Sequence, residues 1–139
     1  MSTPKFDSVA VGDQPIRLEA DPISRTTLAL YAGASGDHNP MHIDIDYAKA
    51  AGQSDVFAHG MLSMAFLGRA VTDWVPQTAI RSFFTRFTAI TRVGEKIIVT
   101  GKVAEKMQSG AENCVKIELS ATNEKGEAKA NGEAIVALA

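Results

Sequence analysis

The sequence predicts a single α+β domain in which an antiparallel sheet curls round one buried helix. Three observations carry that expectation. Residues 60–75 are apolar almost all round, with charge only at Arg69 and Asp73, so a helix there belongs inside the protein, wrapped by other elements. Residues 113–122 alternate strictly, with Val115, Ile117, Leu119 and Ala121 against Lys116, Glu118, Ser120 and Thr122. That is the period of a strand with one packed face. Further runs of strand character are joined by short turns at Gly94 and at 123–126, and successive strands with short connections imply an antiparallel meander.

Taken in order, Val11-Gly12-Asp13-Gln14-Pro15 reads as a turn and 16–20 as a short edge strand. Ser24 is a good N-cap for a helix through Leu28, Leu30 and Tyr31, ending at Gly33 or soon after. Residues 36–45 form a polar loop, because Pro40 keeps Asn39 out of the helical region and cannot sit inside a helix. Asp46 reads as the N-cap of a short helix over 47–51, stopped by Gly52. Pro76 ends the long apolar helix. The remainder reads as four strands: 80–91 with Phe83, Phe84 and Phe87; 95–106 with Ile97, Ile98, Val99 and Val103; 113–122; and 127–138. On the last, Ala128, Ala130, Ala134, Val136 and Leu138 share a face whose small residues let the helix approach closely. With no repeat, low-complexity tract or linker, residues 1–139 form one domain.

Composition narrows the function classes. The chain has 139 residues, 45% apolar and 22% charged, which excludes a collagen-like, disulfide-stapled or disordered chain. Fourteen basic against 16 acidic residues leave a net charge of −2, with no basic run to serve as a footprint for nucleic acid or an anionic membrane. Residues 1–6 lack the apolar core of a signal peptide, and the most apolar stretch, 61–67, is far short of the ~18–20 residues that span a bilayer. A lone Cys114 forms no internal disulfide. A cytoplasmic location is therefore expected.

The chemistry-bearing residues concentrate in two segments. In the first, Tyr31-Ala32-Gly33-Ala34-Ser35-Gly36-Asp37-His38-Asn39-Pro40-Met41-His42, a carboxylate and an imidazole lie five residues apart across a proline loop. Such a pair can hold a water, one group taking its proton while the other orients it. As isolated residues they have blander readings, since Asp37 and Asn39 are good turn caps and a single His is often structural. A metal site drawn from His38, His42, Asp44, Asp46 and His59 would need a helix to align the first two, and Pro40 opposes it. No metal is expected. Ser35, Ser63 and Cys114 sit in no nucleophile motif, and Cys114, on the face of Lys116 and Glu118, reads as partly exposed. The second segment, Phe57-Ala58-His59-Gly60-Met61-Leu62-Ser63, opens the apolar helix. Its unpaired N–H groups suit a polarised carbonyl oxygen, and Gly60 has no side chain to obstruct one. Equally, Gly60 serves as a tight entry turn and His59 as a cap.

Together these segments resemble the MaoC-like (R)-specific enoyl-thioester hydratase/dehydratase family, whose motif runs from an aromatic through Gly-Asp-x-Asn-Pro-aliphatic-His to a later Ala. Here it stands as Tyr31, Gly36-Asp37-His38-Asn39-Pro40-Met41-His42 and Ala48, followed by Ala58-His59-Gly60-Met61-Leu62. The likeness extends from about residue 6 to the end. It is strongest to single-domain bacterial members, including the catalytic subunit of mycobacterial heterodimeric (3R)-hydroxyacyl-ACP dehydratases, which Arg86-Phe87-Thr88-Ala89 also resembles. The resemblance implies a hot-dog fold and reversible syn hydration of trans-2-enoyl thioesters of CoA or acyl carrier protein, without a further cofactor. It implies Asp37 and His42 as the catalytic pair, Gly60 as the donor to the thioester oxygen and Asn39 as a loop-positioning residue. Tyr31, His59, Met61 and Ser63 are candidate substrate contacts beside them. Arg69, Arg81 and Arg86 are candidates for a carrier phosphate, and Gly68 stands where some members carry Ser, a change expected to widen the acyl channel. A homodimer is implied, with a heterodimer as the alternative. A hot-dog thioesterase would instead need a carboxylate on the apolar helix, where Asp73 lies near the far end. An acyl-binding scaffold would not need the Asp37/His42 pair.

Overall fold

The computed structural model describes residues 3–139. Met1 and Ser2, part of the segment read for a targeting signal, lie outside the described residues. Five strands form one antiparallel sheet: β1 (Ile16–Glu19), β2 (Ile80–Phe87), β3 (Ile98–Ser109), β4 (Glu112–Thr122) and β5 (Ala128–Leu138), in the order β1-β3-β4-β5-β2. Three helices accompany it: α1 (Arg25–Ser35), α2 (Ile45–Ala50) and α3 (Gly60–Trp74). The sheet wraps α3, which is the hot-dog arrangement.

Strands β3, β4 and β5 form the expected meander, with Gly110 and Gly126 in the left-handed region at the two turns. The expected meander fails at β2, which pairs with β5 and not with β3. Gly94 therefore closes no hairpin. The 88–97 segment instead carries the chain from the edge strand β2 across to the inner strand β3, tied by Ala58 N–H to the Thr91 carbonyl, Gly94 N–H to Ile23 and Ala20 N–H to Ile97. Glycine at 132 allows the close pairing of β2 and β5, since a Cβ there would run into the Phe84 carbonyl oxygen.

The packed face is the one the alternation predicts. Val115, Ile117, Ala121, Ala130, Ala134 and Val136 are fully buried against Leu67 and Val71 of α3. Gly101 of β3 lies in this layer, and a Cβ there would stand 2.9 Å from Ile16 Cβ and 3.0 Å from Ile117 Cγ2. Gly101→Ala is therefore expected to overpack the core and to cost about 1–3 kcal/mol, read as a lower denaturant midpoint.

Three expectations need correction. Helix α3 is wrapped on one side only: Leu62, Leu67, Ala70 and Val71 are buried, whereas Met61, Ala65 and Thr72 on the other side are exposed. The N-cap of α2 is Asp44, not Asp46; its Oδ1 accepts the N–H groups of Asp46 at 3.0 Å and Tyr47 at 3.2 Å. The chain is extended at Asp44 immediately after the Pro40–His42 turn, so the helix starts two residues early. Cys114 is fully buried, flanked on neighbouring strands by Met107 and Ala137. The outward face of β4 is covered at that end even though Glu118 further along is open.

Candidate active site

The loop after α1 is shaped by its own side chains. Ser24 caps the start of α1 through Thr27 N–H, and Gly36, at φ 74°, reverses the chain at its end. Asp37 Oδ1 accepts the N–H of Asn39 at 3.2 Å, and Asn39 Oδ1 accepts the N–H of Met41 at 3.1 Å, capping the single turn Pro40–His42. The blander reading of these residues as turn caps is thus correct, yet it leaves the second carboxylate oxygen of Asp37 free. Asp37 is exposed, and His42, at the end of the turn, is buried.

Two hydrogen bonds to carbonyls assign the imidazoles. His42 Nδ1 lies 2.7 Å from the Phe57 carbonyl. A carbonyl only accepts, so Nδ1 carries the proton and Nε2 keeps its lone pair in the neutral ring. His59 Nε2 donates in the same way to the Asp37 carbonyl at 3.1 Å, across 22 residues of sequence. The His59 Nδ1 lone pair is buried without a partner among the described residues. The two rings stack at 4.0 Å, Phe57 meets His42 edge-on at 5.1 Å, and Tyr31 meets His59 edge-on at 4.9 Å. Burial holds His59 below its ordinary value, partly offset by the Asp37 carbonyl. Burial first, and the Asp37 charge second, raise the Tyr31 phenol. His59 stands at the N-cap position of α3, where its carbonyl accepts the Leu62 N–H, but its side chain makes no capping bond. It is the joint between loop and helix.

Asp37 and His42 converge as their spacing suggests, and His59 joins them: one ligating atom of each lies within 4.8 Å of the others. A water with hydrogen bonds of ordinary length spans about 4.5–5 Å, so it bridges such a gap. A metal fits less well. A zinc ion draws two imidazole nitrogens toward one point at about 2.0–2.1 Å, whereas stacked rings aim their in-plane lone pairs side by side. His38 is exposed, and Asp44 is engaged as a helix cap.

Gly60 is the first residue of α3, and its N–H has no acceptor among the described residues. The ring of Phe87 lies 3.6 Å from where its Cβ would stand. A cavity of about 280 Å³ opens beside it, with Ser63, Phe87, Ile90 and Thr91 among its walls. Met61 points away from the core and is half-exposed. Gly68 opens no channel, because the Phe83 ring stands 3.7 Å from its Cβ position and closes the space. Of the three arginines, Arg81 is committed to both Glu112 oxygens and the Thr78 carbonyl, and Arg69 lies 3.9 Å from Asp73. Arg86 has no ion-pair partner among the described residues. Asp73 lies thirteen residues beyond Gly60 on α3, about 20 Å along the axis, so no helix carboxylate faces Gly60 as a thioesterase would require. Sequence reasoning missed the roles of Phe57, whose carbonyl sets the His42 tautomer, and of Phe87 over Gly60; a carbonyl contact leaves no mark on residue type.

A carboxylate and an imidazole thus converge beside the open N-terminus of α3. Residues 7–125 match the model of the MaoC like domain, and the chain belongs to that family. It is 34% identical over 93 residues, 63% of this chain, to an (R)-specific enoyl-CoA hydratase of Rhodospirillum rubrum, of whose length the match covers 65%, just under two thirds. Among solved structures it superposes on the R-hydratase PhaJ1 of Pseudomonas aeruginosa with a TM-score of 0.84 and 30% identity, covering 96% of this chain and 85% of that one. The ChsH1–ChsH2 complex of Mycobacterium tuberculosis has the same fold, with a TM-score of 0.79, 21% identity, and coverage of 94% and 98%.

Proposed function

We propose that this protein catalyses the reversible addition of water across trans-2-enoyl thioesters, giving (R)-3-hydroxyacyl thioesters. The observation that carries the reading is the convergence of the Asp37 carboxylate with a His42 whose Nε2 is left as an acceptor by the bond from Nδ1 to Phe57. A water between them donates one hydrogen to Asp37 and one to Nε2. Its oxygen attacks C3 while His42 takes the proton, which then passes to C2 on the same face. Charge developing on the thioester oxygen is met by the Gly60 N–H and the positive end of α3. Proton and hydroxide are conserved within the substrate, so the reaction needs no cofactor beyond the CoA or acyl carrier protein that bears the acyl group. Asn39 holds the loop, and Tyr31 and His59 line its inner side.

The open side of α3 and the edge strand β2 favour a dimer. Met61, Phe84 and Phe87 are 52%, 51% and 47% exposed, an apolar surface that a second hot-dog chain would cover. A second copy is the first choice, and a related subunit the alternative. The free Cys114 suits a reducing, cytoplasmic setting. Among the described residues no helix is long and apolar enough to cross a membrane.

The test is loss of enoyl absorbance from crotonyl-CoA and from a longer trans-2-enoyl-CoA, with chiral analysis of the product and sedimentation of the same sample. Turnover to the (R) product by a dimer is expected. An (S) product, or no turnover by folded protein on either CoA or acyl carrier protein thioesters, overturns the reading.

A further inference from the structure

The cavity beside Gly60 ends on polar groups. Its rim is exposed, at Gly60, Phe87 and Ile90, whereas of its buried lining residues, Ala58, His59, Ser63, Thr91 and Lys129, all but Ala58 are polar. A pocket built for a plain hydrocarbon tail is lined by apolar side chains to its end.

Lys129 has nothing left to offer a ligand. Its ammonium bonds the Ile90 carbonyl at 2.9 Å and Glu127 at 3.1 Å, and pairs with Glu95 at 3.0 Å, which uses all three N–H groups. The hydroxyls differ. Ser63 Oγ and Thr91 Oγ1 stand 3.5 Å apart, well beyond the usual ~2.7–2.8 Å of an O–H···O bond. Neither side chain has another partner among the described residues. Each hydroxyl brings one donor and two acceptor sites, so the pair keeps most of its hydrogen-bonding capacity while shut away from solvent. A saturated chain pushed against it would strand both groups. An anionic chain end finds no free cation there, since Glu95 and Glu127 already pair with the Lys129 ammonium. A neutral oxygen fits.

We propose that Ser63 and Thr91 form a specificity subsite for an uncharged oxygen in the acyl chain, an ether, hydroxyl or ketone, so that the substrates are short oxygenated trans-2-enoyl thioesters. This rests on the hydratase reading of the same site. Ser63 follows Gly60 by three residues, about 4.5 Å along α3, which places the oxygen roughly four to six atoms from the thioester carbonyl.

The probes are 5-methoxy-trans-2-pentenoyl-CoA and its all-carbon counterpart trans-2-heptenoyl-CoA, with crotonyl-CoA alongside. The ratio of kcat/KM, ether over hydrocarbon, is expected to fall about tenfold from the wild type to the Ser63→Ala/Thr91→Val variant, the worth of one good hydrogen bond. Ser63→Ala alone, which disturbs the fold least, is expected to lose part of that factor. An unchanged ratio in both variants, or a wild type that favours the hydrocarbon, overturns the subsite while leaving crotonyl-CoA turnover, and so the hydratase reading, standing. Failure of the folded wild type on all three acyl groups, offered both as CoA and as acyl carrier protein thioesters, removes both.

Discussion

Asp37→Asn and His42→Asn proteins are expected to fold normally and to lose about 10²–10⁴-fold in kcat/KM for hydration. The geometry makes these clean substitutions. Asp37 Oδ1 accepts the Asn39 N–H, a bond that the amide oxygen of Asn reproduces, so the loop keeps its shape while the charge and one acceptor are lost. His42 donates from Nδ1 to the Phe57 carbonyl. The amide nitrogen of Asn, attached at Cγ as Nδ1 is, can keep such a bond, but it offers no nitrogen that takes a proton and returns it. His42→Ala would confuse the result by leaving a cavity beneath His59 and an unpaired carbonyl. If the two groups share one water, the double variant is expected to be scarcely worse than either single one, since each loss already removes the activated water. Full activity in folded Asp37→Asn protein would remove the Asp/His mechanism. Multiplying losses in the double variant would show two independent roles.

Legibility from sequence followed the range of the interaction. The alternation of β4 exposed its packed face because a strand's two-residue period is local, and the apolar run of α3 placed it against the sheet for the same reason. The loop over residues 36–42 was legible because its caps act within a few residues, Asp37 to Asn39 and Asn39 to Met41. What failed was non-local. No property of 80–91 says that it pairs with β5 and not with the strand that follows it. The burial of Cys114 depends on what covers one end of the sheet, and the closing of the Gly68 space depends on Phe83 arriving from another strand. Hydrophobicity all round α3 was read as full burial within the chain, yet one side is open. That residual apolar face, with Met61 half-exposed, is the surface on which the proposed dimer rests. Asp44 and Asp46 both have the chemistry of an N-cap; the Pro40–His42 turn ends where only the first is extended.

His59 offers the second large effect, on catalysis and on stability together. Its Nε2–H holds the Asp37 carbonyl at 3.1 Å and its face stacks on His42 at 4.0 Å, so one buried side chain positions both members of the pair. His59→Ala is expected to lower kcat by about 10²-fold, the effect of displacing reacting groups by about an ångström, and to cost about 2–4 kcal/mol through the cavity and the stranded carbonyl. The pH dependence separates this role from plain packing. Burial holds the folded-state value of His59 below its ordinary 6.5, so the unfolded chain takes up a proton first as the pH falls. Stability is therefore complete above about pH 6.5 and declines below it, until the folded-state value is passed. In the folded protein, protonation would place a charge against His42 and replace the Nδ1 lone pair with a buried donor that has no acceptor. His59→Gln, whose amide nitrogen stands close to the imidazole Nε2 and can still donate to the Asp37 carbonyl, is expected to flatten the stability profile below pH 6.5 and to recover part of the lost kcat. If the slope in urea midpoint against pH is the same in His59→Gln as in the wild type, His59 is not the group that titrates. If Gln recovers no activity beyond Ala, the bond to Asp37 does not position the pair, and the stacked ring alone carries the effect.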